Sequence, residues 1–142
     1  MSVENTSYRD NLLKIKKFLS YSQWHTLSNL CSSSEESEHF INIVRNQTKI
    51  IESMPITYEQ DGLGDDAIIY LHYFLNGCDW HITEKDMEGG VLQAYGFAIL
   101  NGDLYNAEMG YISISELVKL GAEMDFYFNK KTVGELKKER GI

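Results

Sequence analysis

Residues 67–85 read AIIYLHYFL-NG-CDWHITEK, and this stretch decides the fold. Asn-Gly between two alternating runs is the strongest short-range hairpin signal, because a two-residue type I′ turn needs positive φ at both central positions. With Asn76 and Gly77 as the loop, Leu75 faces Cys78, His72 faces His81 and Leu71 faces Ile82. One face then carries Ile69, Leu71, Tyr73 and Leu75 against Cys78, Trp80 and Ile82, and it is the predicted core face. The other carries Tyr70, His72 and Phe74 against Asp79, His81 and Thr83, and reads as a half-covered polar face.

Strand-like pattern continues beyond the hairpin. Glu88-Gly89-Gly90 turns into a strand over Leu92–Leu100, and a second Asn-Gly at Asn101-Gly102 leads to Glu108–Ser113. Ser113 with Glu116 has capping-box spacing for a short helix that Gly121 ends. Met124–Phe128 alternates as a fifth strand, and Thr132 with Glu135 caps a final basic helix.

Before the hairpin the period is helical. Tyr8–Leu19 places Leu12, Leu13, Ile15 (or Lys16) and Leu19 on one side, and Tyr21–Leu30 contributes Trp24, Leu27 and Leu30. Ser33 with Glu36 suggests a capping box for a third helix, which runs through Phe40, Val44 and Ile51 until Pro55 stops it. Thr57–Asp66 is turn-rich. The chain therefore reads as α+β: a helical region over residues 1–56, then a mainly antiparallel five-stranded sheet region with two short helices over 57–142, expected to form one compact unit.

Charge is unevenly spread over the 142 residues. Residues 61–129 hold twelve carboxylates and two lysines, whereas residues 130–142 hold five basic and two acidic groups. Direct nucleic-acid binding is not expected of the sheet region. The polar start Met1–Asp10 does not read as a signal peptide, and no apolar run is long enough to span a bilayer. A cytoplasmic protein with two buried thiols, Cys31 and Cys78, is the expectation; oligomeric state is not legible.

No nucleophile elbow, P-loop or dinucleotide fingerprint is present, so no catalytic residue and no cofactor is expected. His72 across from His81, with Asp79 on the diagonal, could share a metal ion. His25 and His39 fall on the helical half. The acidic band is the other candidate: Asp61, Asp65, Asp66, Asp103, Glu108, Glu123 and Asp125, with Tyr105 and the neighbouring Tyr95, Tyr111 and Tyr127, would present a field and tyrosine contacts to a basic partner.

Four spaced blocks carry a resemblance. They are Trp80-His81-Ile82-Thr83-Glu84-Lys85-Asp86, Gln93-Ala94-Tyr95-Gly96-Phe97-Ala98, Glu108-Met109-Gly110-Tyr111-Ile112-Ser113 and Glu123-Met124-Asp125-Phe126-Tyr127-Phe128. Over about residues 68–138 the chain resembles a family of small uncharacterised bacterial proteins found on plasmids, integrated elements and phages. The resemblance implies a mobile-DNA context and no site residue. Together with the charge it leads to the expectation of a non-enzymatic acidic binding protein, a counter-defence inhibitor (anti-CRISPR or anti-restriction) that mimics DNA on the basic surface of a nucleic-acid-binding protein. The alternatives are a metal-assisted enzyme using His72, His81 and Asp79, or a regulator of plasmid or phage replication.

Overall fold

The structure, a computed structural model, describes residues 3–142. Met1 and Ser2, which open the polar N-terminal segment, lie outside the described residues. Three helices come first: α1 (Val3–Ile15) with a 3-10 turn over Lys16–Phe18, α2 (Tyr21–Ser33) and α3 (Ser37–Ser53). Then follow β1 (Ile68–Ile69), β2 (Leu71–Leu75), β3 (Cys78–Glu84), β4 (Ala94–Ile99) and β5 (Glu108–Ile112). The chain closes with α4 (Ile114–Lys119), β6 (Glu123–Met124), β7 (Lys131–Thr132) and α5 (Val133–Arg140). The architecture is α+β, with a five-stranded antiparallel sheet ordered β5-β4-β3-β2-β6.

The hairpin forms in the predicted register, with Leu75 opposite Cys78 and His72 opposite His81. Asn76 and Gly77 take φ of 47° and 80°, as the turn requires. Helices α1–α4 cover one face, burying Leu12, Ile15, Phe18, Leu27, Val44 and Ile51 against Leu71, Tyr73 and Ile82. Leu13, expected in that core, is 65% exposed because it lies off the stripe defined by Tyr8, Leu12, Ile15 and Leu19. Side chains of the helical half also reach the sheet backbone. The Gln23 amide pairs both ways with the Met124 backbone, at 2.8 Å each, and so closes the open edge of β6. Lys85 Nζ caps the last carbonyls of α3 at Ile51 and Glu52.

Several expectations are corrected. The strand over 67–75 is broken at Tyr70, so Ile69 turns to the opposite face from Leu71 and packs with Phe97, Ile99, Val133 and Leu136. The third strand is shorter, Ala94–Ile99. The fifth stops after Met124, where the Asp125 carboxylate accepts the Tyr127 N–H and bends the chain into a turn. The Ser33 capping box does not form: α2 runs through Ser33, whose hydroxyl donates to the Asn29 carbonyl, and Ser34 instead accepts the Glu36 N–H. Cys31 is buried, but Cys78 is half-buried beside Asn101.

The largest correction concerns the second face. It is not half-covered; α5 and the 100–107 loop close it into a second core. The Thr132–Glu135 capping box does form and starts α5, which lays Val133 and Leu136 on the sheet. Its cations point back at the acidic region: Lys137 Nζ lies 2.7 Å from Asp65 and Arg140 Nη2 lies 3.6 Å from Asp79. Three of the tail's five cations, Lys131, Lys137 and Arg140, thus meet the chain's own carboxylates.

Strand β3 carries a bulge between Ile82 and Glu84, opposite Gly96. A Cβ on Gly96 would meet the His81 carbonyl oxygen at 2.1 Å, whereas one on Gly110 of β5 would meet nothing within 4 Å. Gly96→Ala is expected to cost about 3 kcal/mol, at the upper end of overpacking penalties. Gly110→Ala should stay within about 0.5 kcal/mol of the wild type. Urea denaturation of both variants checks the pair, and equal midpoints would show that the β3–β4 backbones tolerate separation at Gly96.

Candidate functional site

The acidic positions are not brought together as one band. Glu108 and Glu123 lie on the two edge strands, β5 and β6, four strand spacings apart, or roughly 19 Å. They also point to opposite faces, since Glu108 shares a cross-strand row with Trp80 and Tyr73, and Glu123 pairs with Phe74. Asp65 is tied to Lys137, and Asp103 closes its own turn by accepting from the Asn106 backbone and side-chain amides. That bonding holds the Asp103 carboxyl below its ordinary range. Asp125 bonds His72 Nδ1 at 3.3 Å. Asp61 and Asp66 are exposed on the loop after α3, and Tyr105 is 94% exposed on the β4–β5 connection.

His72 and His81 do stack, with ring centroids 4.6 Å apart and planes within 3°. Imidazole lone pairs lie in the ring plane, so two parallel rings cannot aim at a common ion. His72 already holds Asp79 at 2.7 Å through Nε2 and Asp125 through Nδ1. Among the described residues, no group of three or more His, Cys, Asp or Glu side chains is placed to hold a metal ion. His81 is 2% exposed, and its Nδ1 has no hydrogen-bond partner among the described residues. Burial first, then the neighbouring His72, lowers its pKa to about 4.

The chemistry-bearing residues converge elsewhere, where the loop after α3 folds over the second face. The bulge in β3 decides which side chain points there. Strict alternation would put Thr83 in the row with Tyr95 and Tyr111; the extra residue puts Glu84 opposite Tyr95 instead. Glu84 is 3% exposed. Its Oε1 accepts the Tyr58 N–H at 2.6 Å, and its Oε2 lies 3.0 Å from the Thr83 hydroxyl. Gln60, itself buried, clamps the loop by bonding the Ile68 N–H, the Ile68 carbonyl and the Thr83 carbonyl. Tyr58 is held at φ 81°, a costly conformation for a bulky residue, and its phenol oxygen sits 2.7 Å from that of Tyr111. The phenol–phenol bond raises the Tyr111 pKa.

These residues line a cavity of about 420 Å³ with Asp61, Tyr95, Met109 and Gly62. A second cavity of about 260 Å³ adjoins it across Thr57 and Tyr58, and is lined by Asp86, Met87, Glu88, Leu92 and Gln93. Burial works to raise the Asp86 carboxyl, but the N–H groups of Gly90, Leu92 and Glu88, with the Lys17 ammonium, overcome it and leave the group below its usual range. Asp61, Tyr95 and Tyr111 had been singled out from sequence. Tyr58, Gln60 and Glu84 lie outside that set. The signal for Glu84 was Gly96, since glycine inside a strand pattern marks a bulge.

No protein-family model, curated protein or solved structure matches the chain.

The buried His81 generates a pH prediction. With a folded pKa of about 4 against 6.5 unfolded, only the unfolded chain takes the proton between those values. Stability therefore falls as pH drops from 6.5 to 4, by about 3 kcal/mol from this group. Chemical denaturation of His81→Leu across that window should show a distinctly flatter pH dependence than the wild type. An unchanged slope would assign the acid sensitivity to other groups.

Proposed function

We propose that this chain is a non-enzymatic binding protein that docks a basic protein surface on the carboxylate- and tyrosine-lined end of its sheet. One observation carries the reading. The two adjoining cavities present Asp61, Glu84, Asp86 and Glu88 and, among the described residues, are lined by no lysine, arginine or histidine. Elsewhere the tail's Lys137 and Arg140 pair with sheet-region acids; at this end Asp61 and Glu88 are exposed, Glu84 is buried against the cavity, and Asp86 is held by backbone N–H groups with Lys17 nearby. A like-signed cleft with low-dielectric walls focuses field and speeds the approach of an oppositely charged partner. Half-exposed Tyr58 and Tyr111 supply the amphipathic contact area in which binding surfaces are enriched.

The more specific proposal is a counter-defence role, in which this end occupies the nucleic-acid-binding surface of a restriction or CRISPR effector. Twelve carboxylates against two lysines over residues 61–129 support it. The contact differs from the one read in the sequence. It keeps Asp61 from the acidic band, adds the 86–88 turn, and leaves out Asp103, which is engaged in its own turn.

Asp61→Lys with Glu88→Lys is the direct test, since both residues are exposed and such changes usually move stability by less than about 0.5 kcal/mol each. Protection of an infecting phage in cells carrying restriction or CRISPR immunity should fall about tenfold or more. Wild-type association with the purified effector should slow as the Debye length shrinks from about 10 Å toward 3 Å with added salt. Full protection by the double variant would remove this end of the molecule from the interaction.

A further inference from the structure

We infer that the 420 Å³ cavity is a receptor for one arginine side chain of the partner; this rests on the docking reading above and names the group that enters. Glu84 is the reason. A buried carboxylate is ordinarily paired with a cation, because desolvating its charge costs several kcal/mol. Glu84 is 3% exposed, yet its hydrogen bonds come from one backbone N–H and one hydroxyl, both neutral. The nearest lysine in sequence, Lys85, reaches the other way to the end of α3. A carboxylate offers about four lone-pair sites, so each Glu84 oxygen retains acceptor capacity toward the cavity.

The walls select among cations. Tyr95 and Tyr111 stand edge-to-face, with centroids 5.5 Å apart, and Tyr58 lines the cavity with its phenol oxygen against that of Tyr111. A guanidinium is planar, weakly hydrated, able to meet a carboxylate with two parallel N–H bonds, and able to lie on aromatic faces. An ammonium is a strongly hydrated point charge and gains less from such walls. Asp61 at the rim adds attraction without competing for the buried position.

The test titrates the full ¹⁵N-labelled chain with acetyl-arginine methylamide, and with its lysine and citrulline counterparts. Saturable shifts at Tyr58, Asp61 and Gly62 are expected with arginine at a dissociation constant of about 1 mM or tighter. Lysine and citrulline should bind at least about fivefold more weakly. Glu84→Gln keeps an acceptor for the Tyr58 N–H while removing the charge, and should weaken arginine about tenfold. Should that variant unfold, Tyr111→Leu at a half-exposed position should still cost about threefold by removing one aromatic wall. Equal binding of lysine and arginine, no saturable shift in the millimolar range, or undiminished binding by the folded variants would overturn the arginine receptor. In those cases the Asp61/Glu88 charge-reversal result still stands or falls by itself, so failure of the pocket and failure of the docking surface are separable.

Discussion

The backbones of β3 and β4 come so close at Gly96 that a single methyl group there would overlap the His81 carbonyl. That approach lets β3 hold one extra residue between Ile82 and Glu84, and the extra residue changes what lies on each face beyond it. Up to Ile82 the strand alternates as any half-buried strand does. Past it, Glu84 replaces Thr83 opposite Tyr95. Glu84 then fixes Tyr58, and Tyr58 with Gln60 fixes the loop that walls the cavity. Without the bulge Glu84 would face the apolar helical layer, where an unpaired carboxylate has no tolerable place.

The hairpin was legible to the residue because its information is local. Two positive-φ positions, a fixed turn length and a period of two leave one register. The cover on the second face was not legible because it depends on contacts far apart in sequence. His72, Asp79, His81 and Thr83 are polar, and polar residues on a sheet face read as solvated. What buries them is a tail some fifty residues on, whose Val133 and Leu136 supply only two apolar side chains in a helix otherwise rich in charge. Long-range cover by so small an apolar stripe leaves almost no periodic signal. The same limit explains the fifth strand: Met124, Phe126 and Phe128 alternate in sequence, but Phe126 packs toward the helical core and Phe128 toward the second core across a turn.

Electrostatics followed a similar division. Composition gave the excess of acid in the sheet region correctly, but an excess says nothing about which carboxylates are spoken for. Asp65, Asp79, Asp103 and Asp125 each have a job inside the fold, as ion-pair partners or turn acceptors. Asp61 and Glu88, by contrast, are exposed and line the two cavities at one end of the sheet. A partner's field would be felt there, within about one Debye length, more than across an edge-to-edge span of some 19 Å.

The end that remains is also the strained end. Tyr58 at φ 81° costs on the order of 1–3 kcal/mol, as bulky residues do in that region. Such a conformation persists only where its surroundings over-determine it. Here the Glu84 acceptor, the Tyr111 phenol and the Gln60 clamp together do so. Each of those three contacts lies at or beneath the cavity, so the groups that hold the strain are the groups a bound cation would touch. A guanidinium on Glu84 would offset the cost of holding in a buried place the charge to which the Tyr58 N–H is bonded. Binding and loop order are then coupled through one carboxylate: whatever stabilises the charge of Glu84 stabilises the 57–62 loop, and whatever loosens that loop exposes Glu84 to water and weakens its pull on a cation.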